Sequence, residues 1–126
     1  MTTKRVLVID DEDGVREVIK ICLEAAGGWE VLTANSGNEG LKIAEVEQPD
    51  AILLDVMMPD LDGPSTFKKL QANDRTQHIP TILLTAKAKT SEQEKFKNLG
   101  VAGVITKPFE AQKLVEEIRD TLNWSN

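Results

Sequence analysis

Four short apolar runs in this chain are each followed by a residue whose side chain could bind phosphate or a metal ion. The runs and the residues that follow them are 6–9 with Asp10 and Asp11, 51–54 with Asp55, 82–84 with Thr85, and 104–106 with Lys107. If the runs are parallel strands, their carboxyl ends lie along one edge of the sheet, where ligands bind in such folds. Three carboxylates, a hydroxyl and an ammonium would then converge on one site.

The acidic residues indicate a divalent metal site. Positions 10–13 are all acidic, and Asp55 would lie beside them. Like charges at this distance must protonate, separate or bind a cation. Hard oxygen ligands with room for water suit Mg²⁺, with Mn²⁺ as a plausible substitute. Stabilisation of a helix N-terminus accounts for Glu12 and Asp13, but it does not account for Asp10 and Asp11 together with Asp55.

With a metal in place, the other two side chains acquire roles in phosphoryl transfer. A carboxylate can attack phosphorus and carry the group as an acyl phosphate. Catalysis then depends on positioning and on cations around the developing charge. Lys107 would supply one such cation, and the Thr85 hydroxyl could bond a phosphoryl oxygen. Each feature is common alone, and only their combination predicts this chemistry.

The elements that must position these residues follow from hydrophobic periodicity. The first predicted helix carries an apolar stripe that includes Val15, Val18 and Ala26. Ser91 is predicted to cap a fourth helix that runs to Leu99. Strands are predicted over 6–9, 29–34, 51–54, 81–85 and 103–106. Five strands that alternate with five helices imply a parallel sheet covered on both faces.

Length and composition exclude several classes of protein. The 126 residues suit one domain, and a single cysteine cannot form an internal disulfide. A net charge of −6 lacks the basic footprint of a nucleic-acid-binding protein. No segment approaches the roughly 18 apolar residues that would span a membrane, and the start of the chain has no apolar signal region. We therefore expect a cytoplasmic protein without a membrane or a direct nucleic-acid partner.

Four segments of the chain resemble the signature blocks of receiver domains from two-component response regulators. They are 8–13, 53–63, 83–86 and 105–109, and the resemblance covers nearly the whole chain. It implies a flavodoxin-like (βα)5 fold, in which a doubly wound parallel sheet of strand order 2-1-3-4-5 forms the middle of three α/β/α layers. It also implies a single receiver domain over residues 1–126, with no output domain in this chain.

The resemblance assigns a role to the candidate residues of the site. Asp55 matches the phosphoacceptor. Asp10 and Asp11 match the acid pair that binds Mg²⁺ together with Asp55, and the backbone carbonyl of Met57 would complete the protein ligands. Thr85 matches the switch hydroxyl.

Lys107 matches the family's lysine, and we expect it to act in catalysis with Asp55 and Thr85. The bond between Lys107 and Pro108 matches a peptide that is usually cis in receivers, in keeping with the rule that cis bonds belong to proline. These assignments come from the resemblance and from the motif residues as they stand in this chain.

Three positions depart from, or vary within, the family pattern. Receivers often carry Tyr or Phe three residues before the lysine, where this chain has Val104, so the readout of the switch must use a smaller side chain. The positions that flank the attacking water in the family are Met57 and Lys87 here. Because Met57 cannot orient water well, we expect slow self-dephosphorylation.

Three functions compete at this point. A haloacid-dehalogenase-like phosphatase needs a second acid two positions after the nucleophile, where this chain has Met57. A pseudo-receiver typically loses the acid pair, the acceptor or the lysine, and this chain keeps them. The favoured function is a phospho-accepting response regulator receiver, which catalyses only its own phosphorylation and dephosphorylation.

In that function, a sensor histidine kinase or a histidine phosphotransfer protein donates the phosphoryl group to Asp55. The added charge switches a protein–protein surface that a downstream protein target recognises. We expect a stand-alone regulator or a phosphorelay shuttle, either monomeric or dimeric on phosphorylation.

Overall fold

Strands and helices alternate along the chain in the computed structural model, which describes residues 3–86 and 90–124. The strands are β1 (Arg5–Ile9), β2 (Glu30–Ala34), β3 (Ala51–Asp55), β4 (Thr81–Thr85) and β5 (Gly103–Thr106). The helices are α1 (Asp13–Gly27), α2 (Gly37–Glu47), α3 (Gly63–Ala72), α4 (Thr90–Lys97) and α5 (Ala111–Leu122). The predicted alternation is confirmed.

The strands form one parallel sheet with the order β2-β1-β3-β4-β5. This confirms the flavodoxin-like, doubly wound fold. The strand order reverses between β1 and β3, and in such sheets the crevice at this switch point is the usual ligand site. Asp10 and Asp55 stand at the carboxyl ends of those two strands.

Each face of the sheet carries its own hydrophobic core, which gives the three layers. Because β1 and β3 are covered on both faces, they are almost continuously apolar. One core joins Val6, Val8, Leu53, Leu84 and Ile105 to Ile19 and Leu23 of α1 and Leu114 and Ile118 of α5. The other joins Leu7, Ile9, Ile52, Leu54 and Leu83 to Ala44 of α2, Phe67 and Leu70 of α3 and Phe96 of α4.

Side-chain caps fix the starts of the two helices that follow β2 and β3. The hydroxyl of Ser36 accepts the N–H of Glu39 at 3.1 Å, and the Glu39 carboxylate accepts the N–H of Asn35 at 2.9 Å. The Asp62 carboxylate accepts the N–H of Ser65 at 2.7 Å. These bonds satisfy N–H groups that have no partner inside the helix.

The fourth helix differs from its prediction. It begins at Thr90, so Ser91 lies in its first turn and the prediction that Ser91 caps the helix is wrong. It ends at Lys97 instead of Leu99, because the N–H groups of Leu99 and Gly100 bond the carbonyls three residues before them, at 3.1 Å each. This final turn is tighter than an α-helical turn.

The apolar stripe of α1 is only partly buried. Ile19 and Leu23 are covered by the sheet and α5. Val18 is 54% exposed, and Ala26 is exposed as well, so these two residues of the stripe lie outside the core. Among the described residues, no helix combines the length and the apolar character that crossing a membrane requires.

Candidate functional site

Asp10 lies where β1 turns into the loop before α1. Its N–H continues the strand pairing by donating to the carbonyl of Ala34 at 3.1 Å. Its carboxylate folds back on the loop, and Oδ1 accepts the N–H of Glu12 at 2.9 Å. Asp10 is fully buried, whereas Asp11 is exposed. The loop therefore presents one inner and one outer carboxylate.

Asp55 is the last residue of β3 and brings a third carboxylate to the same place. It is buried, and β3 is the direct neighbour of β1 in the sheet. One carboxylate oxygen from each of Asp10, Asp11 and Asp55 lies within 4.8 Å of the other two. Three hard oxygen donors at this spacing fit a divalent cation such as Mg²⁺, which keeps water in its other positions.

Lys107 follows β5 and places a cation between two of these acids. Its Nζ donates to Asp55 Oδ1 at 2.9 Å and to Asp10 Oδ2 at 3.3 Å. Its backbone N–H donates to the carbonyl of Thr85 at 2.7 Å, which ties the end of β5 to the end of β4. The ammonium, which follows β5, therefore reaches across β4 to carboxylates at the ends of β1 and β3, at the carboxyl edge of the sheet.

Burial and charge set the protonation of this pair. Burial raises the pKa of Asp55 above its usual value, and the charges of Asp10 and Asp11 add to this, while the contact with Lys107 opposes it. Burial alone would lower the pKa of Lys107, but the bond to Asp55 and the charge of Asp10 raise it above its usual value. Lys107 therefore stays protonated. Any further cation beside Asp55 would stabilise the ionised form of that carboxylate.

The remaining candidate residues surround this centre. Thr85 is buried at the end of β4, one residue after Leu84, which is the register partner of Asp55. Met57 follows two residues after Asp55, and its side chain is 67% exposed. Val104 is half-buried in β5 and pairs with Leu83. The site roles assigned to these residues stay predictions.

The last two candidates have different outcomes. The peptide between Lys107 and Pro108 is cis, so this expectation is confirmed. Lys87 lies outside the residues that the structure describes.

Sequence reasoning missed two residues that shape the site. The N–H of Gly63 donates to the carbonyl of Val56 at 3.0 Å, and a Cβ on Gly63 would lie 2.6 Å from the carbonyl oxygen of Asp55. The guanidinium of Arg16 donates to the carbonyl of Asp10 at 2.8 Å. In the sequence, the only indication of a role for Arg16 is that it is a single basic residue just after the acidic run 10–13.

An apolar groove opens beside the site, between α1 and the loop after β5. It has a volume of about 660 Å³, and Val18, Pro108 and Phe109 line it together with Lys107. A second groove of about 280 Å³ shares Val18 and continues along α1 past Ile21. An apolar surface therefore runs along α1 and reaches Lys107.

Sequence comparison identifies the family. A sequence model of the response regulator receiver domain matches residues 6–119. The alkaline phosphatase synthesis transcriptional regulatory protein PhoP of Bacillus subtilis is 37% identical over 122 residues, which are 97% of this chain and 50% of PhoP. The polar-differentiation response regulator DivK of Brucella ovis is 31% identical over 120 residues, which are 95% of this chain and 97% of DivK. The chain thus spans about half the length of PhoP and nearly all of DivK.

A solved structure with the same fold holds a metal. It is the receiver domain of the sensor histidine kinase PA1611 from Pseudomonas aeruginosa, with a magnesium ion coordinated in the active-site cleft. It is 27% identical, covers 97% of this chain and 99% of its own, and superposes with a TM-score of 0.85.

Receiver domains accept a phosphoryl group, bind Mg²⁺ at an acidic pocket and act as signalling switches. The family match covers most of the chain, and the sheet order agrees with it. This chain belongs to the family of response regulator receiver domains.

Proposed function

We propose that Asp55 is the phosphoacceptor of this receiver and that a phosphohistidine on a sensor kinase or on a histidine phosphotransfer protein is the donor. The observation that carries the proposal is the position of the Lys107 ammonium, 2.9 Å from Asp55 and 3.3 Å from Asp10. A cation held beside a buried carboxylate at the switch point of the sheet suits transfer of an anionic group.

The chemistry is a displacement at phosphorus. An oxygen of the Asp55 carboxylate attacks, the new O–P bond forms as the N–P bond to the donor imidazole breaks, and the imidazole keeps the electron pair. Lys107 lies within reach of the charge that develops on the phosphoryl oxygens, and we assign the Thr85 hydroxyl to one of those oxygens. Burial of Asp55 excludes water from most directions.

Asp10, Asp11 and Asp55 would hold the divalent cation, together with the backbone carbonyl of Met57. Bound Mg²⁺ supplies positive charge that neutralises the phosphoryl oxygens, and Mn²⁺ is a plausible substitute. The spacing of the three carboxylates, within 4.8 Å of one another, supports this assignment.

The apolar surface along α1 is our candidate docking face for the phosphate donor. Val18 and Ile21 are 54% and 57% exposed, and the adjoining groove reaches Lys107. Exposed apolar patches of this kind mark protein interaction sites. An amphipathic helix of the donor fits such a groove, and a histidine on that helix would then face Asp55.

Phosphorylation would change the surface that a downstream protein reads. The phosphoryl group adds roughly −1.5 to −2 charge at neutral pH beside Lys107 and Thr85. Both residues lie at the ends of strands that pack on α4 or α5, so a shift at either residue can reach those helices. We propose that the output is a protein–protein contact, made by a monomer or by a dimer that forms on phosphorylation.

Incubation with Mg²⁺ and acetyl phosphate, followed by intact mass measurement, tests the proposal. Wild type should gain one phosphoryl group, Asp55→Asn should gain none, and a chelator should abolish the gain. Asp74→Asn, the same change at an exposed position, is the matched control and should be labelled like wild type. Labelling of Asp55→Asn to the wild-type extent would contradict the assignment of Asp55.

A further inference from the structure

We infer that Arg16 is a positioning residue for the metal-binding loop: its guanidinium fixes the main chain at Asp10 so that the carboxylates of Asp10 and Asp11 lie ready beside Asp55. The inference rests on the proposed function, because it assumes that this acidic cluster binds Mg²⁺. It adds a residue outside the cluster whose contribution is to hold the loop closed before the metal arrives.

The contacts of Arg16 are concentrated on this loop. Nη1 donates to the carbonyl of Asp10 at 2.8 Å, and Nη2 lies 2.5 Å from Oδ1 of Asp13. The side chain is only 18% exposed, although it lies in the first turn of α1. The planar guanidinium therefore links the Asp10 carbonyl, at the start of the loop, to Asp13, the first residue of α1.

The position of this cation is unfavourable for the helix itself. The N-terminal end of a helix carries a partial positive charge, so a basic side chain in the first turn is destabilising by itself. Arg16 is the fourth residue of α1, and its side chain points back toward that end, as side chains in helices do. The contact with the Asp10 carbonyl and the ion pair with Asp13, the first residue of α1, offset this cost.

Besides its N–H, which donates to the carbonyl of Ala34, Asp10 is held at three further atoms. Its Oδ1 accepts from Glu12, its Oδ2 accepts from Lys107, and its carbonyl accepts from Arg16. The carbonyl contact fixes the peptide plane between Asp10 and Asp11, and this plane sets where the exposed Asp11 side chain begins. Without it, repulsion within the acidic loop would open the loop, and metal binding would have to close it again.

The Mg²⁺ dissociation constant, measured by titration calorimetry without any phosphate donor, tests this inference. Arg16→Gln should weaken binding by about tenfold, the size of loss seen when outer partners of metal ligands are removed. Arg16→Lys keeps the positive charge but loses the planar guanidinium that donates through two nitrogens. Its Mg²⁺ dissociation constant should therefore lie between those of Arg16→Gln and wild type. The Lys variant also serves if the Gln variant fails to fold.

Arg5→Gln is the matched control. Arg5 makes the same pair of contacts at the opposite end of β1, because its guanidinium donates to the carbonyl and to the carboxylate of Glu47, at 2.7 Å each. Its removal should lower stability to urea by an amount similar to that of Arg16→Gln, with the Mg²⁺ constant unchanged. Equal Mg²⁺ weakening in both variants would show a general stability effect and overturn the inference.

The inference and the proposed function can fail separately. The inference is contradicted if Arg16→Gln has the Mg²⁺ dissociation constant of wild type, whatever the acetyl phosphate labelling shows. If only Arg16→Lys folds, the same result in that variant contradicts it. Conversely, a wild type that binds Mg²⁺ but takes no phosphoryl group contradicts the proposed function, while a weakened constant in Arg16→Gln still supports the positioning role.

Discussion

The ammonium of Lys107 lies between carboxylates from two different strands, and this contact organises the site at the scale of single residues. Asp55 is buried beside two further acids, so its ionised form is disfavoured even with Lys107 in contact. A site of this kind lowers the stability of the metal-free, unphosphorylated protein. The destabilisation is reduced when a cation, or a phosphoryl group together with a cation, binds there.

The first prediction concerns the stability of Asp55→Asn as a function of pH. The pKa of Asp55 is raised in the folded protein, so its ionised form is penalised by folding above that pKa. The penalty disappears as the pH falls through the raised pKa toward the unfolded value. In the absence of metal, Asp55→Asn should therefore be more stable than wild type at pH 7, and this advantage should vanish below the unfolded pKa of an aspartate.

Urea unfolding of both proteins at pH 7 and at pH 3 measures this difference. Asp74→Asn, at an exposed position, should change the free energy of unfolding by no more than about 0.5 kcal/mol. If Asp55→Asn is less stable than wild type at pH 7, this result would contradict the raised pKa of Asp55.

The second prediction concerns the lifetime of the acyl phosphate. The Met57 side chain is exposed near Asp55 and offers no hydrogen bond to an attacking water. Met57→Asn should speed hydrolysis by about tenfold, which corresponds to about 1.4 kcal/mol of transition-state stabilisation. Loss of the phosphoryl mass over time after removal of acetyl phosphate measures the rate, with Met57→Leu as the apolar control. An unchanged rate in Met57→Asn would sink the idea.

At the scale of elements, the loop between β3 and α3 depends on close backbone packing. Gly63 begins α3, and its N–H bonds the carbonyl of Val56 at 3.0 Å. An added Cβ would lie 2.6 Å from the Asp55 carbonyl oxygen and 2.8 Å from the Val56 Cα. Both are backbone atoms, so a side chain here must displace the end of β3, where Asp55, the proposed phosphoacceptor, lies.

The third prediction follows from this contact. Gly63→Ala should lower the free energy of unfolding by about 1–3 kcal/mol, the usual range for overpacking, and should slow labelling by acetyl phosphate. Gly14→Ala is the control, because nothing lies within 4 Å of a Cβ at that helical position. That variant should gain about 0.5–1 kcal/mol. Chemical denaturation and labelling rates test both, and a Gly63→Ala protein as stable as wild type would refute the packing argument.

At the scale of the whole molecule, the site and the apolar surface of α1 lie on one side of the fold. The sheet and α5 cover the inner residues of α1, but Val18 and Ile21 remain exposed. Val46 is also exposed, at 77%, but it lies on α2, which packs on the opposite face of the sheet. Val46 is therefore a control for Val18 and Ile21, because it is likewise apolar and exposed but lies on the opposite face of the sheet.

The fourth prediction uses that control. Ile21→Glu should slow phosphotransfer from the sensor kinase that labels wild type fastest, because it puts a charge into the proposed docking face. It should leave labelling by acetyl phosphate unchanged, since a small donor needs no docking. Val46→Glu should transfer at the wild-type rate with both donors. Equal effects of Ile21→Glu and Val46→Glu on transfer from the kinase would rule out α1 as the docking face.

Local sequence patterns specify the kind of fold and indicate the chemistry. Buried strands such as β3 are apolar along their whole length, and helices carry their own periodicity, so the alternation of elements was visible from local pattern alone. The types of side chain at the strand ends, three acids, a hydroxyl and an ammonium, then indicated phosphoryl chemistry. Helix boundaries were less certain, as the start of α4 at Thr90 shows, because terminal turns depend on backbone bonds that residue types do not specify.

Which of these groups come into contact depends on how the elements pack. Lys107 is 97 residues from Asp10 and 52 from Asp55 along the chain, and no local pattern reports a contact between them. The same holds for the exposure of Val18 and the turn of Arg16 onto the Asp10 carbonyl. Periodicity records which face of an element is apolar, whereas the neighbours of that face are set by how the elements pack in space, and packing places the charges that do the chemistry.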